Sequence, residues 1–166
     1  MNKLIVLSGV PGSGKSYFSK TVKKIKGKHV YIISSDELRR EITGSQANIS
    51  EDPMMWKLFY RLANAYSIDK NGIVILDATY ISTRLRVNCH LDLKPLFDEV
   101  DLVMWHIDKQ TVMNQNLQRD YPIPPEALED FIKNFELPSE EDKKFFDKII
   151  MIENSDIVPA IEALKL

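Results

Sequence analysis

The chain has 166 residues, of which 44% are hydrophobic and 28% charged; this is ordinary globular composition and excludes disorder, collagen and a disulfide scaffold. Its 22 Lys and Arg against 24 Asp and Glu give a formal charge of −2, so the net charge indicates neither a nucleic-acid nor a membrane partner. No apolar run approaches the roughly 18 residues that cross a bilayer, and the only cysteine, Cys89, permits no intrachain disulfide, so we expect one cytoplasmic domain over residues 1–166.

Five short apolar runs alternate with helical patterns along the chain. The runs are residues 4–7, 30–33, 73–76, 102–107 and 149–152. They are unbroken, as is typical of strands buried on both faces of a parallel sheet. Helical spacing occurs at residues 15–26, 36–42, 53–69, 83–97, 109–118, 125–136 and 156–164. This alternation predicts a doubly wound α/β fold.

Prolines interrupt the helical pattern late in the chain. Residues 119–125 hold three of the eight prolines, and Pro122 and Pro124 cannot lie inside a helix. We therefore predict a helix–loop–helix flap over about residues 109–136 that acts as a lid.

The first apolar run leads into a phosphate-binding motif. Residues 9–16, GVPGSGKS, match G-x-x-x-x-G-K-[ST] in full and stand between a strand and a helix. Glycines let the backbone curl so that its N–H groups point inward, and the helix N-terminus adds positive potential. The motif predicts a nucleotide-phosphate site made by Gly9, Gly12, Ser13, Gly14, Lys15 and Ser16. In such loops the lysine binds the β- and γ-phosphates and the serine hydroxyl is a ligand of Mg²⁺.

The second strand ends beside a candidate catalytic carboxylate. Asp36 follows this strand, where the chemistry of open α/β sheets collects, and can accept the proton of an attacking hydroxyl. Arg39 lies one helical turn later and can bind a substrate phosphate through two bonds. The alternative for Asp36 is a helix N-cap, a role that Ser34 and Ser35 also fit.

Three further polar residues follow from their positions. Asp77 ends the third strand and suits the Mg²⁺ side of the site, or else caps the helix near residue 83. Arg84, in the first turn of that helix, faces either the cleft or solvent. Arg119 lies at the hinge of the flap, where it can stabilise the transferring phosphoryl group or the C-terminus of its own helix.

Taken together, these motifs resemble the 5′-hydroxyl polynucleotide kinase family over residues 3–136. The resemblance rests on the P-loop, the Ser-Asp36-x-x-Arg39 element, Asp77-Ala78-Thr79, and Arg119 followed by Pro124. It implies a P-loop NTPase-type three-layer sandwich with a five-stranded parallel sheet and a helical lid. It also implies transfer of the ATP γ-phosphate to a 5′-hydroxyl end of DNA or RNA, with ATP and Mg²⁺ as cofactors and a homo-oligomer as a possible assembly.

The resemblance also assigns roles to individual residues. Lys15 and Ser16 bind the ATP phosphates and Mg²⁺, and Arg119 is the lid arginine on the γ-phosphate. Asp36 is the general base, and Arg39 contacts the acceptor's phosphate. Asp77 and Thr79 lie near the acceptor, with Asp77 also on the metal side. Two positions depart from the family pattern: Tyr80 stands where Asn is frequent, and Gln115 where many members carry a second lid arginine.

Other acceptors and other classes of protein stay open. The P-loop and Asp36 suit a small-molecule kinase equally well, acting on a nucleoside, nucleotide, sugar or antibiotic, and such an acceptor explains Gln115 and Tyr80. A nucleotide-dependent switch is less favoured, because the D-x-x-G match at residues 69–72 precedes its strand and no N-K-x-D motif exists. Tyr80, Trp56 and Phe59 either stack on a nucleobase or pack in the core.

Overall fold

Five parallel strands form a single sheet in the computed structural model, which describes residues 1–166. The strands are β1 (Lys3–Ser8), β2 (Val30–Ser34), β3 (Ile73–Asp77), β4 (Glu99–Trp105) and β5 (Lys148–Ile152), and their order in the sheet is β2-β3-β1-β4-β5. All six residues of β1 are buried, because the strand lies in the middle of the sheet with helices on both faces. The predicted five-stranded parallel sheet is confirmed.

Two layers of helices cover the sheet. The helices are α1 (Lys15–Lys26), α2 (Ser35–Thr43), α3 (Asp52–Tyr66), α4 (Thr83–Leu93), α5 (Lys109–Leu117), α6 (Pro125–Asn134), α7 (Glu140–Phe145) and α8 (Val158–Leu164). Alternate β1 residues serve opposite cores. Leu4 and Val6 pack in the cluster that includes α3 and α4, whereas Ile5 and Leu7 pack with α1 and α8. The fold is therefore the expected three-layer α/β sandwich of P-loop NTPase type.

The segment predicted as a lid consists of α5 and α6 with a loop between them. We call residues 109–134 the α5–α6 arm. Val112 of α5 and Leu128 of α6 form a separate small cluster with Val10 of the P-loop. The arm therefore packs directly against the phosphate-binding loop.

Several predicted boundaries are wrong, the fourth strand most clearly. It runs from Glu99 to Trp105 instead of over residues 102–107. The first half of this strand has no continuous apolar run, because it contains the charged residues Glu99 and Asp101. In the structure, Glu99 is paired with Lys3 at 3.3 Å and with Lys148 at 2.5 Å. Charge pairing thus takes the place of apolar side chains at the amino end of the sheet.

Helix α4 also ends earlier than predicted. It stops at Leu93 and gives way to a short 3₁₀ turn, Lys94–Leu96, because Pro95 cannot continue an α-helix. Helix α3 ends at Tyr66 where 69 was predicted.

Helix α7 was not predicted at all. Its six residues are too short and too charged to give a periodic apolar pattern, but Ser139 and Asp142 form a capping box at its start. Asp142 is fully buried and forms an ion pair with Arg86 of α4, with Nη2 and Oδ2 at 2.9 Å. A contact across 56 residues therefore holds α7 against α4.

The strand order places β3 between the strand that leads into the P-loop and the strand that leads to Asp36. Asp36 does not follow a neighbour of β1, because β3 lies between β1 and β2. Ser34 of β2 stands opposite Asp77 of β3 in the parallel register. The carboxyl ends of β1, β3 and β2 therefore lie side by side and bring the P-loop, Asp77 and Asp36 to one edge.

No helix combines the length and the hydrophobicity that crossing a membrane requires.

Candidate active site

The loop after β1 has the backbone that a phosphate cradle needs. Gly12 and Gly14 have φ of +83° and +112°, a left-handed region in which side chains are strained. A Cβ at Gly12 would also lie 3.1 Å from the carbonyl oxygen of Val112 in α5. Glycine is thus required at position 12 both by the turn and by the close approach of the α5–α6 arm.

Lys15 is held across this loop. Its Nζ donates to the carbonyl oxygens of Gly9 at 2.9 Å and Val10 at 3.0 Å, and the residue is only 8% exposed. Burial lowers the pKa of Lys15 to about 8, while the Asp77 carboxylate opposes that shift. A bound polyphosphate would supply the negative charge that keeps this lysine protonated.

Two serines of the loop present oxygen atoms suited to a nucleotide and its metal. The Ser13 hydroxyl is buried and has no hydrogen-bond partner. A phosphate oxygen of a bound nucleotide would supply that partner. Ser16 Oγ donates to Asp77 Oδ2 at 2.8 Å, and burial raises the pKa of Asp77.

Ser16 and Asp77 fit a hard divalent cation such as Mg²⁺. A hydroxyl and a carboxylate are the oxygen ligands that such an ion prefers. No group of three or more His, Cys, Asp and Glu is arranged to hold a metal ion by itself. Ser16 and Asp77 thus suit an ion that takes its other ligands from nucleotide phosphates and water, as Mg²⁺ does in kinases.

Asp36 is not the cap of α2. Ser34 takes that role, since its Oγ accepts from the backbone N–H of Glu37 at 3.3 Å. The Asp36 carboxylate therefore projects into the cleft, with 44% of its side chain exposed. Arg39 Nη1 donates to its Oδ1 at 3.0 Å, and Arg119 Nη2 donates to its Oδ2 at 3.2 Å.

Arg39 has a second partner that sequence reasoning missed. Its Nε and Nη2 donate to the two carboxylate oxygens of Asp52 at 2.7 and 3.1 Å. Its Nη1 also reaches the Gln46 carbonyl oxygen at 3.4 Å. In the sequence, Asp52 is only an acidic residue at the start of a helix, and no motif marks it as a partner of Arg39.

The α5–α6 arm brings Arg119 to Asp36. Arg119 stands just after α5, in a loop that the Asn116 side chain fixes by hydrogen bonds to both backbone groups of Ile123, at 2.8 and 2.9 Å. The ring of Tyr121, in the same loop, lies 5.9 Å from the guanidinium carbon of Arg40 in α2. Two contacts therefore link the arm to α2 across the cleft.

Not every predicted residue reaches this site. Arg84 is exposed on α4 and does not line the cleft, whereas Thr79 does and its carbonyl oxygen accepts from Gly9 N–H at 2.9 Å. Stacking on Phe59 or Tyr80 is wrong, because both are buried in the core. Trp56 is half-buried and lines the cleft, so it alone of the three can contact a substrate.

Most of the predicted groups, but not Gly9 or Arg84, line one cleft of about 1070 Å³. The walls of this cleft include Gly12, Ser13, Gly14, Lys15, Ser16, Asp36, Arg39, Asp77, Thr79 and Arg119 from the predictions, together with Asp52, Trp56 and Gln115. Pockets that hold a single drug-sized ligand measure roughly 300–1,000 Å³, so this cleft lies at the upper end of that range. The cleft therefore joins a phosphate cradle to a carboxylate that can accept a proton.

Comparisons with known proteins agree with this architecture. A family model described as an AAA domain (AAA_33) matches residues 4–138. A gluconokinase from Sinorhizobium meliloti 1021 is 17% identical with a TM-score of 0.64, over 96% of this chain and 86% of that chain. Kti12 from Chaetomium thermophilum, in complex with ADP-AlF3, is 18% identical with a TM-score of 0.69, over 96% and 94%.

A third similar structure is a chain of the Pnkp1/Rnl/Hen1 RNA repair complex. It is 23% identical with a TM-score of 0.64, over 88% of this chain but only 46% of that chain. At such identities the likeness shows a shared fold alone. The family match covers most of the sequence, and the chain therefore belongs to the AAA domain family, AAA_33.

Proposed function

We propose that this chain is a P-loop kinase that transfers the γ-phosphate of ATP, with Mg²⁺, to a hydroxyl group. The observation that carries the proposal is the Asp36 carboxylate, which opens into the same cleft as the P-loop and is held by two arginines instead of capping its helix. A nucleotide switch needs no such group, whereas a kinase can use one to accept the proton of its acceptor.

The other residues of the cleft position and neutralise the phosphates. The backbone of residues 12–16 and the N-terminus of α1 bind the phosphate chain, and Lys15 compensates its charge. Ser16 and Asp77 hold Mg²⁺, which when bound offsets the charge on the phosphate oxygens. Arg119, carried by the α5–α6 arm as a lid, stabilises the charge on the transferring group.

Two kinds of acceptor are candidates. The motif resemblance supports a 5′-hydroxyl end of DNA or RNA, with Arg39 on an acceptor phosphate. One observation of the structure favours a small-molecule acceptor instead: Arg39 is already paired with both Asp36 and Asp52.

Phosphate transfer can be tested directly. The purified chain is incubated with Mg²⁺ and γ-labelled ATP and with 5′-hydroxyl DNA and RNA oligonucleotides, mononucleosides and sugars. We expect one class to be labelled, and Asp36→Asn to lower kcat by about 10²–10⁴-fold because the general base is lost. The ATP dissociation constant should change by less than about threefold, since Asp36 does not contact the P-loop.

Glu37→Gln is the matched control, because this neighbouring carboxylate is exposed and does not line the cleft. It should leave kcat unchanged. Residual transfer within about tenfold of the wild type in Asp36→Asn would exclude Asp36 as the base, and no transfer to any hydroxyl would refute the proposed kinase activity.

A further inference from the structure

The acceptor end of the cleft holds one more carboxylate than phosphate transfer requires. Asp52 begins α3 and lies 13 residues after Arg39, with its side chain 26% exposed. We propose, on the basis of the kinase function above, that this end binds an uncharged ring compound bearing several hydroxyls, of the sugar or nucleoside class, and that Asp52 and Trp56 determine this specificity.

The hydrogen bonds of Arg39 carry the first step of the argument. A guanidinium has five N–H donors. Four of the donors are engaged, by Nε and Nη2 on Asp52 and by Nη1 on Asp36 and the Gln46 carbonyl. With one donor left, a phosphodiester could bind Arg39 through two bonds only by displacing one of these partners, and a displaced carboxylate would then stay in a partly buried site at a cost.

The charge of the acceptor end points the same way. Asp36 and Asp52 are paired with Arg39 and Arg119, so these four groups together carry no net charge and offer no excess positive charge to an anionic acceptor. The only Lys and Arg that line the cleft are Lys15, Arg39 and Arg119. Lys15 is bound to the P-loop carbonyls and Arg119 to Asp36. Single-stranded nucleic acids bind in positively charged grooves, and no cation here is left to track a phosphodiester backbone.

The remaining groups suit hydroxyls and an apolar ring face. Asp52 and Trp56 are four residues apart on α3, so they share one face of the helix, and both line the cleft. An ionised carboxylate only accepts hydrogen bonds and has about four lone-pair sites, so Asp52 can accept from substrate hydroxyls while it holds Arg39. The half-buried indole of Trp56, braced edge-on by Phe59 at 5.1 Å between centroids, offers a flat apolar surface.

A comparison of matched acceptors tests the inference. The panel is a set of pyranoses and furanoses, thymidine, adenosine, the 3′-monophosphates of both nucleosides, and 5′-hydroxyl oligonucleotides. We expect kcat/KM for the best neutral acceptor to exceed that for every phosphorylated acceptor by at least about tenfold, because the anion must break the Arg39 ion pairs. For each nucleoside that is a substrate, kcat/KM is also compared with that of its own 3′-monophosphate, which differs from it only by the phosphate.

Substitutions at the two residues separate specificity from simple stability. Asp52→Asn should raise KM for the neutral acceptor about tenfold and narrow its advantage over the phosphorylated acceptors, because Arg39 then has a free charge. Trp56→Ala should raise KM with kcat changed by less than about threefold. Glu51→Gln, a neighbouring exposed carboxylate outside the cleft, should change neither.

The outcomes distinguish this inference from the kinase proposal. Transfer that favours an oligonucleotide or a 3′-monophosphate would overturn the inference and leave the kinase function standing. Unchanged selectivity in folded Asp52→Asn, together with unchanged KM in Trp56→Ala, would overturn it as well. Absence of transfer to every acceptor would instead refute the kinase function on which the inference rests.

Discussion

At the scale of single residues, Lys15 combines a charge that a nucleotide requires with burial that opposes that charge. Because burial lowers the pKa of Lys15 to about 8, the lysine loses its proton as the pH rises through 8, and ATP binding must then restore it. We expect the dissociation constant of ATP to rise about fivefold to tenfold between pH 7.5 and 9. Titration calorimetry across this range measures the change.

Lys15→Arg is the control for this prediction. An arginine stays protonated throughout this range, so its affinity, whatever its absolute value, should be flat with pH. A wild-type protein whose affinity is also flat up to pH 9 would show that Lys15 does not titrate near 8.

At the scale of elements, the α5–α6 arm determines where Arg119 lies. Arg119→Ala should lower kcat by about 10²–10³-fold, because a preorganised cation no longer meets the charge that develops in the transition state. The ATP dissociation constant should change far less, since the P-loop is intact. Steady-state kinetics with the best acceptor and direct ATP binding give the two values.

Lys109→Ala tests whether any cation on the arm would have this effect. Lys109 is an exposed residue at the start of α5, paired with Glu129 at 3.1 Å and outside the cleft. Its loss should leave kcat unchanged. A drop in ATP affinity with kcat unchanged in Arg119→Ala would place Arg119 in ground-state binding only.

Elements whose signals are local could be predicted, and those fixed by distant partners could not. The P-loop and α1 follow from glycine spacing, apolar runs and a helix start within 26 residues of sequence. By contrast, Arg86 looks like any surface arginine until Asp142, 56 residues away, meets it in the core. The Arg39–Asp52 pair is similar, because it gives Arg39 a partner 13 residues away that the motif itself does not include.

The place of Asp36 at the end of the second strand could be predicted from the sequence, whereas the residues around it could not. Whether Asp36 or Ser34 caps α2 depends on one hydrogen bond that several neighbouring residues could make. That β3 lies between β1 and β2 depends on strand pairing, which no local pattern encodes. Residue type therefore indicates which chemistry a group is capable of, but not which groups it contacts in the fold.

At the scale of the whole molecule, the two ends of the sheet differ in how they handle charge. The carboxyl end places its charges in an open cleft, whereas the amino end buries Lys3 and Asp101 and leaves their neighbours Glu99 and Lys148 half-buried. Asp101 is fully buried, and neither carboxylate oxygen has a hydrogen-bond donor. Burial, followed by the neighbouring Glu99, raises the pKa of Asp101 to about 7.

This arrangement predicts a pH-dependent stability that belongs to the fold and not to the active site. A carboxyl whose pKa is higher in the folded than in the unfolded chain destabilises the fold as the pH rises from about 4 to about 7. Asp101→Asn removes that titration. The free energy of unfolding of the variant, relative to wild type, should therefore increase by about 2–3 kcal/mol between pH 5 and pH 8. Urea unfolding at the two pH values measures it.

Glu99→Gln provides the opposite case. The lysines lower the pKa of Glu99 to about 2, so its charge stabilises the fold above its unfolded pKa near 4.5, and that contribution fades as the pH falls towards 2. Glu99→Gln should therefore be less stable than wild type at pH 8. The opposite result for Asp101→Asn, a lower stability relative to wild type at pH 8 than at pH 5, would contradict the raised pKa of Asp101. Asp101 would then be ionised in the folded chain and paired with the lysines, as Glu99 is.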